Sequence, residues 1–453
     1  MPGPEPERQL SFLQTSSIIV GTVIGSGVFI SVPIVAAIAG SPGMSVAIWL
    51  LGGVVWIPQV LILAEMGTAY PIQGGAYHYL HRAGSPFLGF LYTWTAFLTS
   101  DTPTLTIVAL SAVSALTIFS SVLGDPVVAR VVAAVLIALV AYMHRRSVRG
   151  GGNAQVVLTV AKLAPLVLIV VFGLLSWKPE ALSLSVSTAD IEQRPFWNTL
   201  VAGVSSTLWS YAGFTNILYM AGEVKNPARI LPVSLIGSLV FVMVSYTLIA
   251  AATGAVVPFV DIVGAKGAFV NPFAYLQGFE GSAGVVFALA SATSMVGVLS
   301  ACMMSQPRLE YAMARDGLFF PVFGHLHPVH LTPDYSIMIQ AGLAILMLLL
   351  SNIENLLGYF TLSYALQNAL VYGALFFLRR RKDYAPTYRA PFGRMMAAVS
   401  LAIQGAVAVG TLLAYPAGGA LACLGLILTG FPIYRYYQKQ GPGPARPADQ
   451  ATP

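Results

Sequence analysis

Gly25, Ser26 and Gly27 are the residues whose type and spacing say most about chemistry, and the chemistry is binding. They lie in Gly21-Thr-Val-Ile-Gly-Ser-Gly-Val28, inside an apolar run over 13–38 that is long enough to cross a bilayer. Lipid offers no partner for an unpaired backbone N–H or C=O, so a spanning segment is normally a continuous helix. Each glycine costs about 1 kcal/mol against alanine in a helix interior, and two glycines flanking a serine make unwinding easy. Unwound backbone at membrane depth survives where it lines a cavity. Freed amides there can hold a carboxylate and freed carbonyls an ammonium. Together they fit an α-amino acid.

Two charged residues within apolar runs add to this. Lys162, in Thr159-Val-Ala-Lys162, stands about 10 Å into the fifth run, six to eight residues beyond its start. It either snorkels back to the headgroups or reaches carbonyls freed by the first break. Asp101, in Leu98-Thr-Ser-Asp-Thr-Pro-Thr104, stands mid-way along the third run, where a carboxylate needs a partner or water. Either it, or Thr102, caps a helical piece started by Pro103, or it faces a substrate. His325, His327 and His330 have spacings a metal can use, yet they sit in a Pro-rich loop with no further ligand in sight, and no metal or cofactor is expected. No histidine lies in an apolar run, and no Ser or Cys there is paired with a base, which argues against an enzyme. Nor are there the repeated filter loops or charged rings of a channel.

The elements that position these residues are helices through a membrane. The chain is 57% hydrophobic and 9% charged, with a mean hydropathy of +0.77, values that describe a polytopic membrane protein. Apolar runs fall near 13–38, 44–66, 87–119, 125–143, 154–175, 197–220, 231–257, 282–305, 335–351, 355–378, 393–415 and 417–437. Twelve spans bring both termini to one side. Eighteen of the 23 Lys and Arg residues fall on that side, and only Lys178, Arg194, Lys266 and Arg130 on the other, which makes the termini cytoplasmic in a cell membrane. The third run, some 50 Å long as a straight helix, must tilt or bend, and Pro103 offers the bend. The stretch beyond Gln440, rich in Pro, Gly and Ala, is expected to be disordered. Cys302 and Cys423 both lie in apolar runs and give no disulfide framework.

The sixth run carries its own small-residue step at Ala212-Gly213. Spans one and six each open a group of five, and interrupted helices at matching positions point to an inverted repeat with a midplane site between them. Close packing of two spanning helices would also explain such small residues. The expected organisation is a tail over 1–12, a first repeat over 13–175, a second over 197–378, two further helices over 393–437 and a tail over 438–453.

Six segments then carry a resemblance: GTVIGSGVF (21–29), AEMGTAYPIQGGAYHYL (64–80), GSPFLGFLYTW (84–94), WSYAGFTNILYMAGEVKNPARILP (209–232), RLEYAMARDGLFFPVF (308–323) and APTYRAPFG (385–393). In this order the chain resembles the amino acid/polyamine/organocation transporter superfamily, and within it bacterial relatives of the L-type amino acid transporters. The resemblance implies an all-α fold of twelve helices, a five-plus-five inverted repeat with helices one and six broken, and alternating access to one amino acid site. It implies a carboxylate-binding turn at Gly25, Ser26 and Gly27, and ammonium-binding carbonyls of Val23 or Ile24 and of Trp209 and Ala212. Trp209 falls at the gating aromatic. Lys162 matches the lysine that replaces a sodium ion in sodium-independent members. Thr99, Ser100 and Asp101 fall on the wall of the side-chain pocket, where many L-type members are apolar, a departure that suits a polar or cationic side chain. Glu65 is expected to hold an inner loop, and Glu223, Lys225 and Arg229 to form a gate network. Eukaryotic L-type members join a heavy subunit through an extracellular cysteine; Ser120 to Asp125 has none, so no disulfide-linked partner is expected. The implied function is sodium-independent exchange of neutral or small polar L-amino acids, with proton-coupled or exchange transport of cationic amino acids or amines, Asp101 as counter-ion, as the rival.

Overall fold

The computed structural model describes residues 6–25, 27–177, 179–184, 195–265, 270–279, 281–350, 353–414 and 417–439. Ser26, the charges at Lys178, Arg194 and Lys266, and the expected disordered tail from residue 440 lie outside the described residues. Within them the chain is helical, and its single extended pairing is a parallel bridge between Leu10 and Val224.

The first expected span is two helices, α1 (Phe12–Val23) and α2 (Gly27–Ala39). There follow α3 (Pro42–Ala69), a short α4 (Gly75–Arg82), then α5 (Pro86–Thr95) and α6 (Thr102–Ala115), joined by a π-helical turn over Ala96–Asp101. Next come α7 (Pro126–Arg146) and α8 (Val148–Leu175). The sixth expected span is again two pieces, α9 (Phe196–Leu208) and α10 (Asn216–Tyr219). The remainder is α11 (Pro227–Val256), α12 (Phe259–Gly264), α13 (Ala283–Ser305), α14 (Pro307–Arg315), α15 (Asp334–Leu350), α16 (Ile353–Leu378), α17 (Gly393–Ala414) and α18 (Ala417–Lys439).

Local sequence fixes several of these starts. Ser11 and Gln14 form a reciprocal capping box on α1, and Asp125 accepts from the amides of Val127 and Val128 ahead of Pro126 in α7. Eight helices among the described residues are long and apolar enough to cross a membrane, with α5–α6 and α13–α14 each taken as one. Of the twelve expected runs, the first and sixth miss that length because each is broken.

Pro103 does shape the third span, by a different device from a plain bend. Its ring has no N–H and would crowd the carbonyl of Thr99, and the π turn that ends at Asp101 widens the helix just before it. The Ser100 carbonyl is taken by the Thr104 hydroxyl at 2.7 Å. Elsewhere α3 lies along α11, and α13 along α6 and α8.

One end of the bundle, the end that carries the N-terminal segment, is held by buried ion pairs. Glu65 of α3, fully buried, accepts from Arg379 Nε at 2.9 Å and Nη2 at 2.5 Å, from the Tyr384 hydroxyl at 3.0 Å and from the Ala390 amide at 2.8 Å. It therefore holds the segment between α16 and α17. The same hydrogen bonds raise the Arg379 guanidinium above its ordinary range. An Arg379→Ala variant strands the Glu65 carboxylate away from water and is expected to lose about 3–5 kcal/mol of stability. A melting temperature in detergent unchanged from wild type would contradict that.

Candidate functional site

Helix α1 stops because the chain turns extended at Ile24 (φ −78°, ψ 103°). That leaves carbonyls of its last turn without helical partners. The Lys162 ammonium of α8, itself 1% exposed, donates to Gly21 O at 2.8 Å and to Ile24 O at 2.5 Å. It does not snorkel to the surface. Two further groups steady the same turn: Thr159 Oγ1 donates to Ser17 O at 3.0 Å, and Ser294 of α13 reaches Ile24 O at 3.5 Å. After the break, α2 begins at Gly27, its first amides without a partner inside the helix and its positive end at the gap. A side chain at Gly27 would come within 3.0 Å of Ser210 Cα, so glycine is what lets the two interrupted spans touch.

The second break runs from Trp209 to Thr215. Gly213 takes φ +126°, a conformation that L side chains rarely adopt. The breaks are tied to each other. Tyr246 of α11 shares its hydroxyl between Val23 O at 3.1 Å and Ser210 O at 3.0 Å. Thr22 Oγ1 lies 3.3 Å from Gly213 O, Ser210 bonds Ser31 at 3.1 Å, and the Gly213 amide donates to the Tyr364 hydroxyl at 3.0 Å.

Between the breaks lies a cavity of about 90 Å³. Val23, Gly25, Gly27, Asp101, Trp209 and Ala212 line it, joined by Thr22, Ser210, Gly213, Asn216, Cys302, Gln306, Tyr364 and apolar residues of α6 and α13. At about 30 Å³ of liquid per water, that is the volume of about three waters, which restricts an occupant of this conformation to a small one. Ile24 and Lys162 stand behind this surface, Ile24 O being occupied by the ammonium. The Trp209 carbonyl takes the Ala212 amide at 3.1 Å, and the indole lines the cavity while remaining 36% exposed.

Thr99 and Ser100 depart from expectation. Both are fully buried and turn to α16, Thr99 to the Ser363 hydroxyl at 2.5 Å and Ser100 to Gln367 Oε1 at 3.1 Å. Three consecutive helical residues fan through about 200°, so one wall can take only one of them. That one is Asp101. It makes no side-chain cap to α6, its Oδ1 is 3.5 Å from Ser100 Oγ, and its Oδ2 is buried without a hydrogen-bond partner.

Toward the N-terminal-segment end stands a second buried pair. Glu223 accepts from Arg308 Nε at 2.9 Å and from Gln73 Nε2 at 2.6 Å, and its carbonyl accepts the amides of Gln9 and Leu10, each at 2.9 Å. Lys225 and Arg229, expected in this network, have exposed side chains; Lys225 joins it only by its amide, bonded to Leu10 O. The histidines of the 325–330 loop are engaged locally. His325 Nδ1 lies 2.7 Å from Asp334 Oδ1, and the rings of His327 and His330 stack at 4.4 Å.

A model of the amino acid permease family matches residues 10–431. The chain belongs to this family. Among curated relatives, the serine/threonine exchanger SteT of Bacillus subtilis is 28% identical over 96% of this chain and 98% of its own length. The b(0,+)-type amino acid transporter 1 of mouse is 26% identical over 94% of this chain and 87% of its own, and the human cystine/glutamate transporter 25% identical over 86% and 78%. For an amino acid permease, the level of function that follows is amino acid transport by a multi-pass membrane protein. The residues that sequence reasoning missed in it are Tyr246, which ties the two breaks, Tyr364, which holds the second break to α16, and Asn216 and Gln306, which line the cavity.

Proposed function

We propose that this chain is a sodium-independent secondary transporter that exchanges small neutral or polar L-amino acids by alternating access. The observation that carries the reading is the cavity between the two interrupted spans. It has the amide end of α2 on one side for a carboxylate, carbonyls of both breaks for an ammonium, and room for a small side chain. Gly25, Ser26 and Gly27 bind the carboxylate, and Trp209 gates the cavity; of the two carbonyls offered at the first break, Ile24 O is taken by Lys162, so Val23, with Trp209 and Ala212 of the second break, supplies the ammonium's carbonyls. Lys162 acts as a tethered substitute for a coupling cation. The name of the serine/threonine exchanger supports both the exchange mode and the substrate size. Twelve spans, the repeats over 13–175 and 197–378, and cytoplasmic termini in the cell membrane complete the reading, supported by the charge bias and by the two matching breaks. The protein works without a disulfide-linked heavy subunit, Ser120 to Asp125 holding no cysteine.

One observation favours a second reading. The unpartnered Oδ2 of Asp101 in the cavity wall suits the cation of a basic side chain or amine, with exchange or proton-coupled transport. The test is uptake of radiolabelled L-amino acids into proteoliposomes in sodium-free buffer at two pH values, with and without internal amino acid. The expected result is serine- and threonine-sized uptake that requires internal substrate and survives Asp101→Asn within a few-fold. Uptake of arginine, lysine or an amine that disappears in Asp101→Asn would establish the second reading instead. No flux without sodium would overturn both.

A further inference from the structure

At the N-terminal-segment end, outside the cavity and the Glu223 network, α7 and the loop after α14 enclose a recess of about 260 Å³ lined by Tyr142, Arg145, Arg146, His327 and His330. Its polar edge is made of donors. The Arg146 guanidinium lies over the Tyr142 ring at 4.4 Å, and among the described residues neither Arg145 nor Arg146 is ion-paired to a carboxylate. His327 Nδ1 accepts the amides of Val329 at 3.2 Å and His330 at 3.1 Å, which leaves its ring proton on Nε2 as a further donor. The loop is held in this shape: His327 N–H donates to Thr332 O, Leu331 N–H to His327 O with Leu331 at φ +51°, and Thr332 Oγ1 to Arg145 O. An array of donors around guanidinium groups is what a phosphate oxygen set requires.

What leads into the recess says where that phosphate comes from. Val131, Val135, Leu139 and Tyr142 are all exposed and recur at helical spacing along one face of α7, ending at Arg146. Helix α7 is long and apolar enough to cross a membrane, where such a face lies against acyl chains, and this one ends at the recess, beside the last turn of the helix. We propose that this recess is a binding site for one anionic phospholipid, its phosphate among Arg145, Arg146 and His327 and one acyl chain along the stripe. The site is independent of the transport reading.

Native mass spectrometry of the purified full-length chain, titrated with phosphatidylglycerol and with phosphatidylcholine, tests it. One phosphatidylglycerol is expected to be retained, and an Arg145→Gln/Arg146→Gln variant is expected to bind it about ten- to thirtyfold more weakly. The loop is pinned through the Arg145 carbonyl, so these substitutions leave its anchor intact. Val135→Gln/Leu139→Gln is expected to weaken the lipid as well. Should the arginine variant not fold, His330→Ala with Tyr142→Ala carries the same expectation at smaller size. An equal loss in Arg380→Gln/Lys382→Gln, basic residues outside the recess, would reduce the effect to general charge and overturn the site. Inorganic phosphate displacing the lipid at comparable concentration, with no effect of the stripe variant, would assign the recess to a free anion and overturn the lipid.

Discussion

Lys162→Met is expected to lower amino acid uptake on the order of a thousandfold while leaving the protein folded. Methionine keeps the apolar stem and removes the ammonium, so Gly21 O and Ile24 O lose the donor that holds them at 2.8 and 2.5 Å. A buried acceptor left without its partner costs about 1–3 kcal/mol, and two cost about 4 kcal/mol together. At 1.4 kcal/mol per factor of ten, the interrupted first span then gives way to conformations in which these carbonyls find other partners. The cavity loses its floor with it. Uptake in proteoliposomes and the melting temperature are to be measured together. Uptake within threefold of wild type at an unchanged melting temperature would remove Lys162 from the transport machinery.

Gly213→Ala is expected to reduce uptake by about ten- to a hundredfold. At φ +126° an L side chain is strained whatever the space, at a cost of about 1–3 kcal/mol. The space is also taken: the new Cβ would stand 3.2 Å from the backbone and Cβ of Thr22. Thr22 cannot easily withdraw, because its hydroxyl is held at 2.9 Å from Ile19 O. The strain therefore falls on the contact between the two breaks. Gly237→Ala is the control, since a Cβ there meets nothing within 4 Å inside α11, and it should be neutral or stabilising by up to about 1 kcal/mol. Wild-type uptake in Gly213→Ala would mean that the second break has no fixed shape to protect.

The two breaks were legible because the glycines fall at matching places in runs one and six, a coincidence that close helix packing, the other use of glycine in a span, does not require. Gly25 and Gly27, and Gly213 in the sixth run, sit where α1 ends, α2 begins and the turn after α9 reverses. Lys162 was legible for a similar reason, as the one basic residue deep within a run. Thr99 and Ser100 were read too generously, because sequence adjacency to Asp101 does not carry over to a shared helix face. The residues that tie the site together gave no local signal. Tyr246 meets Val23 from 223 positions away, Arg308 meets Glu223 from 85, and Arg379 meets Glu65 from 314. A tyrosine inside a long helix or an arginine near a helix end has many possible partners, and only the packing of α3, α11, α14 and α16 selects among them.

Glu223 joins four parts of the chain through a single residue. Its carbonyl holds the amides of Gln9 and Leu10, and its carboxylate holds Arg308 of α14 and Gln73 from the turn after α3. No one of these contacts can be released by a small shift without leaving a charge or an amide buried and unpaired, so they part together or not at all. Such a closure is cooperative. On the alternating-access reading proposed above, such an end passes between a shut form and an open form with little population between them. A solute pressing on a partly loosened end therefore meets no leak, which is the property an exchanger needs if each outward passage is to be matched by an inward one.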